Sequence, residues 1–335
     1  MQFSKSSQRK GLDKGCRIRM ILYFIILLLI LTQVYTLQYI LFRQYKENLF
    51  SQKSELSSSV IENVQDFFST EDKFDRGVFE TVIGISSVPR EGHDYYLETL
   101  KSLLGDQKAS NGEYLFVFMV SSFNQTLKAR IKAMLEKHFK RDIQKGLLYV
   151  FSPNKDFYPL FTLENFDRNK ESNYYKWRAR QSLDYSYLFD FIYQRFSFKS
   201  YLHLEDDLLV TNSYLGKMKN FIDQVNNSTR KSNWSVMSFS KLGFIGKLFK
   251  KSDLPFLTNM FRAFYKETPC DWILNMFIYG RTTDCMVTQD FFGARESACL
   301  NNRVPSLSPS LFQHVGRHSS LRGKIQILTD EDFNG

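Results

Sequence analysis

Short apolar runs alternate with amphipathic stretches from about residue 80 onward. Thr81–Ile85, Tyr114–Val120 and Gly146–Phe151 are apolar runs of the length typical of buried strands. Between them, Tyr95–Leu104 and Thr126–Phe139 carry apolar residues at helical spacing. This alternation predicts an α/β fold with a mostly parallel sheet and helices on its faces.

A longer helical stretch, about Tyr174–Phe196, leads into the apolar run Ser200–Leu204, which ends in the acidic triplet Glu205, Asp206 and Asp207. At the end of a buried strand of an open α/β sheet, such a cluster faces a crevice. Adjacent like charges repel one another unless a cation holds them, and oxygen ligands at this density suit Mn²⁺ or Mg²⁺. An acidic turn is the alternative interpretation.

A different pattern lies near the N-terminus, where no charged side chain occurs from Met20 to Phe42. This run is long enough to span a bilayer, which takes about 20 residues. A cleaved signal peptide, the alternative, has a shorter apolar region followed by small residues, which Thr32–Tyr35 does not offer. Basic residues precede the run and only Arg43 and Lys46 follow it closely, so the positive-inside rule predicts type II topology.

This topology divides the chain into a cytosolic tail (1–19), an anchor (20–42), a stem (43–76) and a lumenal domain (77–335). Four glycosylation sequons agree with lumenal exposure; they begin at Asn124, Asn226, Asn227 and Asn233. The lumenal cysteines are Cys270, Cys285 and Cys299, so we expect one disulfide and one free thiol. Cys285 with Cys299 is the favoured pair, although the sequence leaves the pairing open.

Composition limits the classes of function. With 43% apolar and 16% aromatic residues, the chain has enough apolar surface for one sizeable core. The net charge of +10 raises the question of nucleic-acid binding. However, Lys and Arg are scattered, part of the excess precedes the anchor, and no zinc-finger or RNP-type motif accompanies them. Nucleic acid is therefore not an expected partner.

Four segments carry a resemblance to a known family: Trp177–Tyr185, Tyr201–Asp207, Phe239–Lys247 and Pro309–Leu321. They resemble the alpha-1,3-mannosyl-glycoprotein 4-beta-N-acetylglucosaminyltransferases, and the resemblance runs from about residue 80 to the C-terminus. It implies a GT-A fold, UDP-N-acetylglucosamine as donor and a divalent cation such as Mn²⁺. It also implies inverting transfer to a core mannose of an N-glycan, at the membrane of the Golgi or of the endoplasmic reticulum.

By this resemblance the acidic triplet is a DxD-type site, with Asp207 and Glu205 at the metal and Asp206 towards the donor. His314 would be a further metal or phosphate contact, and a hydrogen-bonded core histidine is the alternative. Arg90 and Arg178 are candidates for the diphosphate, because the arginine fork pairs bidentately with phosphate. Surface charge is their alternative interpretation, and it is the favoured one for Arg180.

Inverting transfer needs a base to take the proton of the acceptor hydroxyl. The resemblance makes Asp271 the candidate, since it precedes Trp272 in a helical stretch after the metal motif. Helix capping is the alternative interpretation, because aspartate is a favoured N-cap residue.

The chain departs from the family pattern at Ser238, where the resemblance implies a glutamate, and at Asn275, where it implies an aspartate. Segment 284–302 also diverges, and family members continue into a C-terminal sugar-binding domain. Two hypotheses follow. The chain transfers N-acetylglucosamine, or it is a catalytically inactive member that binds and inhibits another Golgi N-acetylglucosaminyltransferase.

The topology gives a first testable prediction. In microsomes that contain the chain with a tag after Gly335, the tag is expected to survive added protease, because the anchor places residues 43–335 in the lumen. Detergent should make the tag digestible. Digestion of the tag in intact vesicles would contradict the type II orientation.

Overall fold

The computed structural model describes Gln33 and residues 64–68, 77–90, 92–159, 172–228, 233–282, 302–321 and 323–334. The chain divides into two compact units, 1–56 and 57–335, and every strand and helix given below belongs to the second. The predicted tail, the anchor apart from Gln33, and the pair Cys285 and Cys299 lie outside the described residues. No helix among those that the structure describes is long and apolar enough to span a bilayer.

A seven-stranded sheet in the order β1-β4-β3-β2-β5-β8-β7 forms the centre of this unit. Strands β4, β3, β2 and β5 run parallel, and β1, β8 and β7 pair antiparallel. The α/β class with a mostly parallel central sheet is thereby confirmed. The strands are β1 (Gln65–Asp66), β2 (Phe79–Ser87), β3 (Tyr114–Val120), β4 (Leu148–Ser152), β5 (Phe198–Glu205), β7 (Met237–Ser238) and β8 (Lys247–Lys250).

Helices cover both faces of the sheet, and each face has its own hydrophobic core. Strand β3 is buried along its whole length because alternate residues, such as Phe116 and Val117, enter opposite cores. Helices α1, α2 and α4 contribute to the first core, and α3, α5 and α6 to the second. The helices are α1 (Tyr95–Leu104), α2 (Gln125–Gln144), α3 (Ser172–Arg195), α4 (Tyr214–Asn227), α5 (Leu254–Phe264) and α6 (Cys270–Arg281).

Two sequence predictions need correction. Gln65 and Asp66, assigned to the stem, form β1 and pair with β4. Two polar residues are too few to show an alternating pattern, so no local pattern predicts this strand. Helix α2 is kinked at Phe139, where φ is −127°, but it does not end there as predicted. It continues to Gln144 and buries Ile143 in its last turn.

A second, two-stranded sheet pairs β6 (Leu208–Val210) with β9 (Phe312–His314) in antiparallel register. Leu208 lies opposite His314 and Val210 opposite Phe312. Strand β6 begins one residue after the acidic triplet, so this register brings the C-terminal part of the chain alongside the end of β5.

Gly84 in β2 is a point where the central sheet has no room for a side chain. A Cβ there would lie 2.5 Å from the hydroxyl of Tyr201, which is fully buried and hydrogen-bonded to His203 Nδ1 at 2.8 Å. Gly84→Ala is therefore expected to lower the free energy of unfolding by about 2–4 kcal/mol, through overpacking and loss of that hydrogen bond. Chemical denaturation measures the change.

Gly280→Ala in α6 is the matched control, because nothing lies within 4 Å of its added Cβ. Alanine is the better helix former by about 1 kcal/mol, so this variant should equal or exceed the wild type in stability. Equal stability of the two variants would contradict the packing argument.

Candidate active site

The acidic triplet lies at the carboxyl end of β5, next to the carboxyl end of β2. Ser86 is in register with Glu205, and Ser87 is therefore level with Asp206. Both ends belong to parallel neighbours at the centre of the sheet, which is where open α/β sheets bind ligands. Glu205 and Asp206 line a cavity here, as the predicted position of the triplet at a crevice requires of these two residues.

Asp206 is buried and hydrogen-bonded through both carboxylate oxygens. Ser87 Oγ donates to Oδ2 at 2.6 Å, and Arg90 Nη1 donates to Oδ1 at 2.8 Å. Thr99 on α1 fixes the backbone by donating to the Asp206 carbonyl at 2.9 Å. Burial raises the pKa of Asp206, and the charge of Arg90 opposes this effect.

Asp207 is also buried, but only one of its oxygens is engaged. Arg90 Nη2 lies 2.9 Å from Oδ2, and His314 Nε2 lies 3.3 Å from the same oxygen. The other oxygen, Oδ1, is buried without a hydrogen-bond partner in the described part of the chain. Gly316 packs so closely that a Cβ there would lie 2.0 Å from Oδ2.

Glu205 has a different environment from its two neighbours. Tyr185 on α3 donates its hydroxyl hydrogen to Oε1 at 2.6 Å. Burial and the charge of Asp207 raise the pKa of Glu205 to about 7, although Tyr185 and His314 act in the opposite direction. Glu205 is therefore a carboxyl group that gains or loses its proton near neutral pH.

Glu205, Asp207 and His314 each offer one ligand atom, and these three atoms lie within 4.8 Å of one another. Ligands about 2.2 Å from a cation lie about 3–4.4 Å apart, so a small contraction would close the set. Two carboxylates and an imidazole suit Mn²⁺. The unpartnered Oδ1 of Asp207 supplies a further buried acceptor. The residues therefore fit a divalent cation, and the predicted approach of Asp207 and His314 is confirmed.

His314 is a buried residue of β9 whose imidazole contacts the Asp207 carboxylate. Burial disfavours the imidazolium, but the hydrogen bond and charge of Asp207 and the charge of Glu205 outweigh it and raise the pKa of His314. This contact also fits the alternative of a hydrogen-bonded core histidine, so the metal role of His314 stays a prediction.

A cavity opens beside the triplet, and Glu205, His314 and Asp271 all line it. Its remaining walls combine polar side chains, such as Arg178, Gln181 and Lys324, with aromatic and apolar ones, namely Tyr174, Trp177, Leu242, Phe244, Ile245 and Leu328. A second cavity shares Trp177, Gln181 and Glu205 with the first and contains Arg90 and Asp206. The first cavity therefore brings the candidate base Asp271 together with the candidate metal ligands Glu205 and His314.

Asp271 lies in the first turn of α6, whose N-cap is Pro269. The capping interpretation of Asp271 is therefore wrong, because the helix begins two residues earlier than that role requires. Gly243, with φ +33°, approaches so closely that an added Cβ would lie 2.9 Å from Asp271 Oδ1. Burial raises the pKa of Asp271, and the charge of Lys247 opposes this effect.

Lys247 is a buried amine near Asp271 that sequence analysis did not single out. Its Nζ donates to the carbonyls of Ser240 at 2.6 Å and Ile245 at 3.0 Å. Burial lowers the pKa of Lys247 to about 8, against the charges of Asp271 and Asp330. A third cavity is lined by Asp271 and Lys247 together with Ser238 and Asn275, the two positions where the resemblance implies carboxylates.

Two other arginines have different surroundings from those expected. Arg178 lines the first cavity, but its Nη2 donates to the Lys266 carbonyl at 2.6 Å. The interpretation of Arg180 as surface charge is wrong. Its guanidinium pairs with Asp184 at 3.0 Å and lies over the rings of Phe123 and Tyr158.

The four sequon asparagines, Asn124, Asn226, Asn227 and Asn233, are all exposed. Asn124 caps α2 by accepting from Leu127 N at 3.1 Å through Oδ1, so this contact does not use its amide nitrogen. Cys270 is a buried free thiol. Glycosylation and the disulfide stay predictions.

Ser87, Thr99, Tyr185 and Gly316 all support the triplet, and the sequence analysis missed them. The role of Ser87 could have been predicted from the sequence, because Ser87 follows the apolar run of the strand that lies parallel to the strand of the triplet. Tyr185 and Thr99 lie on helices, and no local pattern indicates which helical hydroxyl reaches a distant strand.

Comparison with known proteins gives a family match. The model of the MGAT4 conserved region matches residues 47–333. Alpha-1,3-mannosyl-glycoprotein 4-beta-N-acetylglucosaminyltransferase B of Danio rerio is 38% identical over 256 residues, which is 75% of this chain and 44% of that protein. The A enzyme of Rattus norvegicus is 38% identical over 75% of this chain and 46% of that protein. The chain thus spans less than half the length of these relatives.

Among solved structures, core-mannan synthase A of Aspergillus fumigatus covers 82% of this chain and 86% of that chain, with 11% identity and a TM-score of 0.37. This likeness is too weak to carry an argument.

The raised pKa of Glu205 gives a prediction for stability. Its pKa moves from 4.5 to about 7 on folding. The folded state therefore prefers the protonated form, and the contribution of Glu205 is complete below pH 4.5 and lost as the pH rises through 7. Relative to Glu205→Gln, the wild type should lose about 3 kcal/mol of unfolding free energy between pH 4.5 and 8.

Denaturant titrations in EDTA at both pH values measure this difference. The exposed Glu267→Gln is the control, and its difference from the wild type should not vary in this way. A constant difference for Glu205→Gln would show that Glu205 titrates normally.

Proposed function

This chain belongs to the MGAT4 conserved region family, and on that premise we propose that it transfers N-acetylglucosamine from UDP-N-acetylglucosamine to a core mannose of N-linked glycans, on a GT-A fold. The observation that carries the proposal is the convergence of Glu205, Asp207 and His314 beside a cavity that also contains Asp271. The relatives are named N-acetylglucosaminyltransferases, which supports the same reaction here.

Glu205, Asp207 and His314 would hold the cation, with Mn²⁺ favoured by the mixed oxygen and nitrogen ligands. When bound, the cation would neutralise the negative charge of the donor diphosphate and of the departing UDP. Asp206 has a supporting role instead, because Ser87 and Arg90 already engage both of its oxygens.

Asp271 would act as the general base. The acceptor hydroxyl oxygen attacks the anomeric carbon, the bond from that carbon to the UDP oxygen breaks, and its electron pair leaves with UDP. The hydroxyl proton passes to Asp271, and the anomeric configuration inverts. A base works best when its pKa is near the operating pH, and burial moves the pKa of Asp271 in that direction.

The aromatic walls of the cavity suit sugar rings. Tyr174 and Trp177 line it on the α3 side, and Trp177 is fixed because its Nε1 donates to Ser320 Oγ at 2.8 Å. An aromatic face offers an apolar surface to the C–H face of a sugar. An N-glycan acceptor further implies a lumenal domain in the Golgi, in agreement with the expected anchor and the four sequons.

A second candidate is a catalytically inactive member that binds and regulates another Golgi N-acetylglucosaminyltransferase. Ser238 favours it, because the serine stands where the resemblance implies a glutamate, and its hydroxyl donates to the Ser240 carbonyl at 2.8 Å. Helix α6 also presents three large exposed side chains, Trp272 (67%), Met276 (38%) and Tyr279 (55%). Their spacing places them on one helix face, and such an apolar stripe suits contact with a protein.

The role of Asp271 is tested by transfer assays with Mn²⁺, UDP-N-acetylglucosamine and an N-glycan acceptor. Asp271→Asn should lower turnover by about 10²–10⁴, because the amide cannot accept the proton. Binding of UDP with Mn²⁺ should be retained, since the candidate ligands are unchanged. Calorimetry measures that binding independently of turnover.

Asp223→Asn, an exposed change on α4, should leave turnover unaffected. Ser238→Glu should change acceptor affinity more than turnover if Asp271 is the base. Robust wild-type turnover that survives Asp271→Asn would refute its role. Wild-type inactivity with intact UDP binding would favour the second candidate.

A further inference from the structure

Arg90 bridges the two aspartates of the acidic triplet. One nitrogen, Nη1, lies 2.8 Å from Asp206, and the other, Nη2, lies 2.9 Å from Asp207. The side chains of all three residues are almost inaccessible to solvent, with exposed fractions of 12%, 5% and 4%. In this arrangement the guanidinium supplies the positive charge that the adjacent carboxylates require.

The contact on Asp207 uses the oxygen Oδ2, to which His314 is also close. Asp207 and His314 both belong to the proposed metal ligands. A divalent ion held by these residues would therefore lie within a few ångströms of the Arg90 guanidinium. Like charges at about 4 Å repel where the local dielectric is low, so a guanidinium and a cation that both contact the Asp207 carboxylate weaken each other's binding.

The Arg90 guanidinium has contacts and donor groups that do not depend on Asp207. Its Nε is buried without a hydrogen-bond partner among the residues the structure describes. The guanidinium carbon lies 5.4 Å from the centre of the Tyr95 ring, and such a ring face attracts cations. Arg90 thus has a second favourable contact that does not involve Asp207.

The backbone around Arg90 is joined to the segment that follows His314. Arg90 forms an isolated bridge with His93, whose ring stacks on that of His318 at 3.9 Å between centroids. Tyr95 and His318 are also within hydrogen-bond distance, at 3.1 Å. The backbone can therefore stay in place while the Arg90 side chain changes its partner.

We propose that Arg90 and a divalent cation compete for Asp207. Without the cation, the guanidinium neutralises Asp206 and Asp207, and binding of the cation displaces it from Asp207 while its contact with Asp206 is kept. Arg90 thereby sets the metal affinity of the site. This inference rests on the metal site of the proposed function.

Calorimetric titration of the full chain with MnCl₂ at pH 7, without nucleotide, tests the competition. Arg90→Gln removes the competing charge and should tighten Mn²⁺ binding at least about tenfold. Arg262→Gln is the matched control, because Arg262 forms a comparably buried pair with Asp190 at 2.6 Å. Its Mn²⁺ affinity should equal that of the wild type.

Arg90→Lys provides a second test if Arg90→Gln does not fold, as judged by circular dichroism. Lysine keeps the charge but cannot bridge both aspartates with a fork, so this variant should bind Mn²⁺ about threefold more tightly than the wild type. Binding by Arg90→Gln alone, with none by the wild type, would also support competition.

Unchanged or weaker Mn²⁺ binding in both Arg90 variants would overturn the inference. Asp207→Ala separates that result from failure of the proposed function. If Asp207→Ala abolishes Mn²⁺ binding while the Arg90 variants bind as the wild type does, the metal site stands and the competition is wrong. If no protein binds Mn²⁺, both are wrong.

Discussion

The mutual repulsion of Glu205, Asp206 and Asp207 is what the surrounding elements must offset. Three consecutive carboxylates at the end of a central strand are costly to bury unless each has a partner. Each one does, and the partners come from different parts of the fold: Tyr185 from α3, Ser87 and Arg90 from the end of β2, and His314 from β9. The relative positions of these elements are therefore tied to one electrostatic requirement.

Many of the helices and strands could be predicted from the sequence, because the apolar patterns that indicate them are local. The bounds of α1 and β3 follow from the spacing of apolar residues, and the position of the triplet follows from the end of an apolar run. His314 could be linked to Asp207 only through the family resemblance, since nothing in its neighbourhood indicates a partner so distant in the chain. Tyr185 and the bridging fork of Arg90 depend on packing across elements, which no single segment encodes.

The surroundings of Asp271 combine features that favour catalysis with features that oppose it. Burial moves the pKa of this carboxyl towards neutrality, while the nearby amine of Lys247 favours the ionised form that a base needs. Ser238 and Asn275 line the cavity on the same side and bring no charge to it. In the proposed reaction, Asp271 is therefore the only carboxylate among the residues that line this cavity, and the acceptor would meet serine hydroxyls and the amines of Lys241 and Lys247 there.

The pairing of β6 with β9 has a consequence for biosynthesis. The acidic triplet leaves the ribosome long before His314 and Gly316, so the early chain carries three acids without their imidazole partner and without the glycine that packs against Asp207. Contacts between distant segments form slowly, because a long loop must close first. The candidate metal site is thus among the last parts of the domain to assemble. It is complete only after the C-terminal segment that contains β9 has packed against β6.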